Sequence, residues 1–228
     1  MGLTGESTGA GVLCGCSGAF QIERETADDK VIALAGNPNV GKSTVFNSLT
    51  GMNQHTGNWP GKTVANAQGK YRHQGTNFVL VDIPGTYSLM ANSEEEEIAR
   101  DFICFGSPDA VVVVADATCL ERNLNLVLQT MEISKRVVLC VNLLDEAKKK
   151  KIKINLEALS QKLGIPVVGT SARNGKGLNH LMDAVAGLTR EESETHPLSI
   201  TYGNEIEQAV AMIQPVLESA LDSRLNSR

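Results

Sequence analysis

Four short stretches hold residue types that could handle a phosphorylated ligand. The first, Gly36 to Thr44 (GNPNVGKST), fits the pattern G-x-x-x-x-G-K-[ST] and lies between an apolar strand-like run and a helical one. In that setting Gly36 and Gly41 let backbone amides curl around phosphates, Lys42 reaches the β and γ groups, and Ser43 supplies a hydroxyl for Mg²⁺. The whole run, with Asn37, Pro38, Asn39, Val40 and Thr44, is expected to line the nucleotide. The second stretch is Asp82-Ile83-Pro84-Gly85, at the end of the next apolar run. Asp82 is placed to hold the magnesium shell through water, and the Gly85 amide to meet a γ-phosphate.

The third stretch, residues 55 to 63 (HTGNWPGKT), is a glycine- and proline-rich loop. Gly61, Lys62 and Thr63 end it, with Thr63 a second Mg²⁺ ligand that would engage only a triphosphate, so the loop reads as a switch. The fourth is Asn142-Leu143-Leu144-Asp145, followed at the next strand end by Thr170, Ser171 and Ala172. The Asp145 carboxylate can accept from the ring N–H and exocyclic amine of guanine, donors that adenine does not offer in that arrangement. Amides near Ser171 and Ala172 could donate to the guanine oxygen. GTP is the expected substrate and GDP the product. Leu143 stands where many such sites carry a lysine that packs under the base, which predicts weaker and faster nucleotide exchange. The catalytic set expected on these grounds is Lys42, Thr63 and Gly85, with Asn39 joining it below.

One position is unusual. Many nucleotide switches carry a glutamine just after the glycine of the Asp-x-x-Gly turn, to orient the attacking water. Here that position is Thr86.

These residues need a scaffold that brings strand ends together. From Lys30 onward, apolar runs (VIALAG, NFVLVD, AVVVVAD, RVVLCVN, PVVGTS) alternate with helical patterns. Unbroken Val/Ile/Leu runs indicate strands covered on both faces, hence a mostly parallel, doubly wound α/β sheet. The more polar segment 63 to 74 predicts an antiparallel edge hairpin. Residues 1–29, rich in Gly, Ser and Thr, read as a mobile tail; 30–190 as the nucleotide domain; 191–228 as a linker and a partial helical domain whose amphipathic stripe Pro215 should kink or split. The apolar face of that last helix lacks a partner, so the natural protein is expected to continue.

Composition narrows the class. A net charge of -5 and pI near 5.4 argue against a broad nucleic-acid-binding face, so no nucleic-acid partner is expected. Five cysteines, an odd number, suit a reducing, cytosolic setting. The longest apolar run, residues 110 to 115, is far below the roughly 20 residues a membrane helix takes, so the chain as given reads as soluble.

With GNPNVGKST, GNWPGKT, DIPGTYSL, NLLDEA and GTSAR in this order, residues 30 to 190 resemble the N-terminal G domain of the ferrous-iron transport protein FeoB family. The resemblance implies a P-loop GTPase (Ras-like) fold, GTP hydrolysis with Mg²⁺, and a place on the cytoplasmic face of a bacterial membrane. It also implies a helical domain leading to a transmembrane iron-permeation region, and a possible small partner protein of the iron system. Potassium activation is implied too, with Asn39 and the backbone carbonyls of Gly57 and Trp59 as ligands. A bound K⁺ would neutralise charge developing on the phosphates, as an arginine finger does elsewhere, so a cation could stand in for the side chain missing at Thr86.

Overall fold

The computed structural model describes residues 20, 22, 24–51, 54–59, 64–90, 92–190 and 196–226. Seven strands form one sheet: β1 (Lys30–Gly36), β2 (Gln54–Asn58), β3 (Ala65–His73), β4 (Thr76–Asp82), β5 (Ala110–Asp116), β6 (Val137–Asn142) and β7 (Val167–Gly169). Their order across the sheet is β2-β3-β4-β1-β5-β6-β7. β1 pairs in parallel with β4 and β5, and β6 with β5 and β7. The β3–β4 hairpin is antiparallel, as its polar sequence and tight link require. It does not form the edge, however: β2 adds outside β3, antiparallel, so part of the loop read as a switch is docked onto the sheet.

The alternation of side chains along each central strand divides the core in two. Val31, Ala33, Val79, Val81, Val111 and Val113 face α2 (Glu94–Phe105) and α3 (Leu120–Ile133). Their neighbours Ile32, Leu34, Phe78, Leu80, Val112 and Val114 face α1 (Lys42–Thr50) and α6 (Leu178–Leu188). α4 (Leu144–Lys149) and α5 (Leu156–Leu163) pack on the same side as α2 and α3, through Ala147 and Leu163. Both faces are covered, as the unbroken apolar runs imply, and the turns after β1, β4, β6 and β7 that carry the P-loop, Asp82–Gly85, Asn142–Asp145 and Thr170–Ala172 fall beyond the carboxyl ends of the parallel strands.

The acidic run opens α2 as its charge predicts: the Ser93 hydroxyl caps the helix by accepting from the Glu96 N–H at 3.2 Å, with four glutamates at the positive end of the dipole. At the far end of the chain, α7 (Asn204–Asn226) is one element, not divided at Pro215, and exposes Ile206, Val210, Ile213 and Leu217. No described helix is long and apolar enough to cross a membrane.

Upstream of β1 the chain is tied down by Asp29. Its buried carboxylate accepts from the Thr26 hydroxyl at 2.6 Å, the Glu25 N–H at 2.7 Å, the Thr26 N–H at 3.2 Å and the Asn77 amide at 3.3 Å. These donors, the Thr26 hydroxyl foremost, hold its pKa at about 2, below the ordinary 3.8. A depressed carboxyl stabilises the fold above its unfolded pKa and loses that contribution as pH falls through the folded value. Asp29→Asn is therefore expected to melt at lower temperature than the wild type near neutrality. In thermal melts the gap should narrow as pH is lowered from about 5 towards 2.

Candidate nucleotide site

The P-loop leaves β1 at Gly36 and enters α1 through two left-handed residues, Asn39 (φ 66°) and Gly41 (φ 82°). Neither geometry is a free choice at Gly41: a Cβ there would stand 2.5 Å from the Asn142 amide nitrogen. Gly36 is equally constrained, since its Cβ would meet the Val114 carbonyl oxygen at 2.7 Å. Gly41 offers α1 no side-chain cap, which leaves the first-turn N–H groups turned to whatever fills the loop. The loop encloses a cavity of about 350 Å³ lined by Asn37, Pro38, Asn39, Gly41, Lys42, Ser43, Thr44 and Gly85. Val40, absent from that lining, is buried beneath the loop.

Two charges meet beside the cavity. The Lys42 ammonium donates to the Asp82 carboxylate, both nearly buried, which joins the start of α1 to the end of β4. Backbone bonds fix the same seam: the Ile83 N–H donates to Leu34 (3.2 Å) and the Thr86 N–H to Gly36 (3.1 Å). Gly85 faces the P-loop across this seam: a Cβ built on it would meet Pro38 at 3.4 to 3.6 Å, with no clash. A buried acceptor, Asn37 Oδ1, finds no donor among the described residues and lies in the cavity's lining residue set. Hydroxyl, carboxylate and carbonyl oxygens around such a cavity suit a hard, oxygen-seeking divalent cation, and Ser43 with Asp82 provides the first two.

The Thr86 side chain does not face this cavity. It is buried, donates to the Ser88 carbonyl at 2.5 Å and accepts from the Ser88 N–H at 3.2 Å. The turn it stabilises is pinned to α3, where Gln129 accepts from the Leu89 N–H at 2.9 Å and donates to the Ser88 hydroxyl at 3.3 Å. Arg122, also on α3, lies 4.4 Å above the Tyr87 ring. Gln129 and Arg122 carry no motif in the sequence; their spacing on one helix is the only signal there, and it names no partner.

At the far strand ends, Asn142 connects both halves of the site. Its amide nitrogen donates to the Val40 carbonyl at 3.1 Å, and its oxygen accepts from the Thr170 hydroxyl and the Ala172 N–H, each at 3.1 Å. Leu143 then takes a left-handed conformation (φ 62°) and hands the chain to α4, whose first turn carries half-buried Asp145. The Asp145 N–H donates to the Ser171 hydroxyl at 3.2 Å. Both amides expected to face guanine donate within the protein: Ala172 to Asn142, Ser171 to the Lys176 carbonyl at 3.0 Å. Buried Cys140, beside Thr170, has its thiol pushed up to about 12 by desolvation, so it acts as packing.

Asn142→Ala is expected to cost about 2–4 kcal/mol, because it removes three buried hydrogen bonds and leaves the Val40 carbonyl and Ala172 amide without them. Urea denaturation checks this.

The loop residues are less gathered. Gly57 pairs with Asn66 in the β2–β3 ladder, and the Trp59 N–H donates to the Val64 carbonyl at 2.9 Å while its ring is buried on the α2 face. Neither is among the residues lining the P-loop cavity. Gly61, Lys62 and Thr63 lie outside the described residues, as do Cys14 and Cys16.

A doubly wound sheet with a P-loop after β1, an Asp-x-x-Gly turn after β4 and an Asn-x-x-Asp turn after β6 defines a G domain of the P-loop GTPase fold. The comparisons agree. The family described as Ferrous iron transport protein B matches residues 30–185. A Porphyromonas gingivalis Fe(2+) transport protein A/Fe(2+) transporter FeoB fusion protein is 40% identical over 192 residues, covering 83% of this chain and 23% of its own. The crystallised G domain of the T. maritima FeoB iron transporter superposes with a TM-score of 0.68 at 43% identity, covering 71% of this chain and 99% of that one. Its cytosolic domain in GDP form II gives 0.79 at 40% identity, over 83% and 74%. The chain belongs to the FeoB family, as its N-terminal G domain. It spans about a fifth of the length of the curated relatives it matches.

Proposed function

We propose that this chain binds GTP and GDP and hydrolyses GTP, as the regulatory domain of a ferrous-iron transporter at the cytoplasmic face of a bacterial membrane. The observation that carries the reading is the P-loop cavity, with Lys42 and Gly85 in its lining and Lys42 paired to Asp82 at the end of β4. Lys42 and the α1 amides hold the phosphates, the Gly85 amide senses the γ-phosphate, and Asp145 selects guanine. Ile83 and Pro84 shape the turn that presents Gly85. Ser43 and Asp82 would hold Mg²⁺, with Thr63 closing the set; the metal supplies charge neutralisation of the β- and γ-oxygens. In the full protein this domain would serve a transmembrane iron-permeation region, and the P. gingivalis fusion supports a small iron-system protein as partner. The divisions 1–29, 30–190 and 191–228 stand as part of this proposal.

Potassium activation is proposed with Asn39 as the ligand already at the cavity. The Gly57 and Trp59 carbonyls would join it only after residues 54–59 leave β3, since the ladder holds Gly57 and a backbone bond to Val64 holds Trp59. A second reading has support in one observation: the inward-turned Thr86 side chain suits a nucleotide-sensing module with negligible hydrolysis. Displacement of a fluorescent GDP analogue by GTP, GDP and ATP tests the binding half of the proposal. Displacement by both guanine nucleotides at micromolar concentration, and not by ATP at a hundredfold more, is the expected result; equal displacement by ATP would overturn it.

A further inference from the structure

Trp59 is held from a direction that the G-domain motifs do not account for. The segment entering β1 runs back from its Asp29 anchor and is clipped to β3 by the Glu25–Lys70 ion pair (2.8 Å). It then places Ile22 and Phe20 against the core. The Phe20 ring stands edge-on to two others: Trp59 at 5.6 Å and 85°, and Phe102 of α2 at 5.1 Å and 86°. Trp59 and Phe102 complete the triangle at 5.3 Å and 66°. Edge-to-face geometry of this kind is attractive beyond the apolar area it buries.

The three rings are not equivalent. Phe102 is fully buried and Trp59 nearly so, whereas Phe20 is half-buried and forms the outer wall. The indole N–H of Trp59 is buried and has no acceptor among the described residues. Apart from the bond from the Trp59 backbone N–H to the Val64 carbonyl, retention of the residue therefore depends on packing, and a buried side-chain donor without a partner favours a conformation that returns it to water. Phe20 is the ring whose removal would open that route while Phe102 stays among the buried side chains of α2.

We propose that the segment before β1 is a strap on the nucleotide switch, and that Phe20 is a positioning residue: it keeps Trp59 docked and so sets how readily residues 54–59 leave β3 when nucleotide loads. The strap lies before residues 30–185, the stretch that the family model matches. The proposal rests on reading residues 55–63 as the switch loop.

Trp59 is the only tryptophan in the chain, so its fluorescence reports this one site. Emission and acrylamide quenching are measured on the full 228-residue chain, nucleotide-free, with GDP and with a non-hydrolysable GTP analogue, for wild type, Phe20→Ala and Phe20→Leu. GDP release is timed for the same three proteins. Phe20→Ala is expected to red-shift the nucleotide-free emission, raise quenching about threefold or more, and change GDP release by about fivefold to tenfold. Phe20→Leu, which keeps apolar bulk but removes the ring edges, should fall between and carries the comparison if the alanine variant folds poorly. Wild-type quenching that responds to nucleotide, with both variants indistinguishable from it in quenching and GDP release, overturns the strap alone. Wild-type Trp59 fluorescence unchanged across all nucleotide states overturns the switch-loop reading, and the strap's role with it.

Discussion

Replacing Lys42 with alanine lowers affinity for GTP and GDP by about 100- to 1000-fold, the expected cost of deleting a charge-assisted phosphate contact from a nearly buried site. Two effects combine in that figure. The ammonium no longer meets the phosphates, and the Asp82 carboxylate it pairs with in the structure is left without its counter-charge. An unbalanced carboxylate next to the cavity repels the incoming phosphates, so the loss exceeds that of one neutral hydrogen bond. The fold itself should weaken less, by about 1 kcal/mol, because the cavity is open and Asp82 can be hydrated. Titration with a fluorescent GDP analogue reads the affinity and thermal denaturation the stability; nucleotide affinity within threefold of wild type would contradict the assignment.

The second large effect is a change of base preference. Asp145→Asn replaces an acceptor-only carboxylate with an amide that presents one donor and one acceptor. Guanine then loses one of its two partners and meets a donor facing its own amine, so GTP affinity should fall by about 100- to 1000-fold. Xanthine carries an oxygen where guanine has that amine, and the variant should favour XTP over GTP. The neighbouring Ser171 hydroxyl accepts from the backbone of residue 145, not from its carboxylate, so the substitution leaves the α4 entry in place. Competition between GTP and XTP for the variant measures the reversal, and unchanged GTP preference would remove Asp145 from the base site.

Much of this site is legible in sequence because its parts are local. The P-loop spacing, the Asp82–Gly85 turn and the Asn142–Asp145 turn each encode their own backbone path, and apolar runs place them at strand ends. What the sequence hides is what the chain does with distant partners. Asn142 reads as one residue of a base motif, yet it bonds Val40, Thr170 and Ala172 at once. The Ser171 and Ala172 amides read as donors to a base, while tertiary structure gives both of them internal acceptors. Gln54–Asn58 lacks the β-branched run of a strand; its strand character comes from the open edge of β3. The Phe20–Trp59–Phe102 triangle joins positions far apart in the chain, and no periodicity could foretell it.

Thr86 bears on mechanism through the same contrast. Its hydroxyl closes a turn with Ser88, and Gln129 holds that turn to α3, so this side chain is occupied with shaping the segment after Gly85. In the GTP hydrolysis proposed above, the charge developing on the phosphates would then have to be met by Lys42, bound cations and backbone amides. Asn39, left-handed and at the cavity rim, is the residue through which a monovalent cation would enter that set.

Single-turnover GTP hydrolysis in matched potassium and sodium buffers, for wild type and Asn39→Ala, tests this account most directly. Wild type in potassium should hydrolyse GTP about tenfold or more faster than in sodium, an electrostatic contribution of the size a single preorganised charge supplies. Asn39→Ala in potassium should fall to the sodium rate. Equal rates in all four conditions would contradict the claim that a bound cation replaces the side chain missing at Thr86.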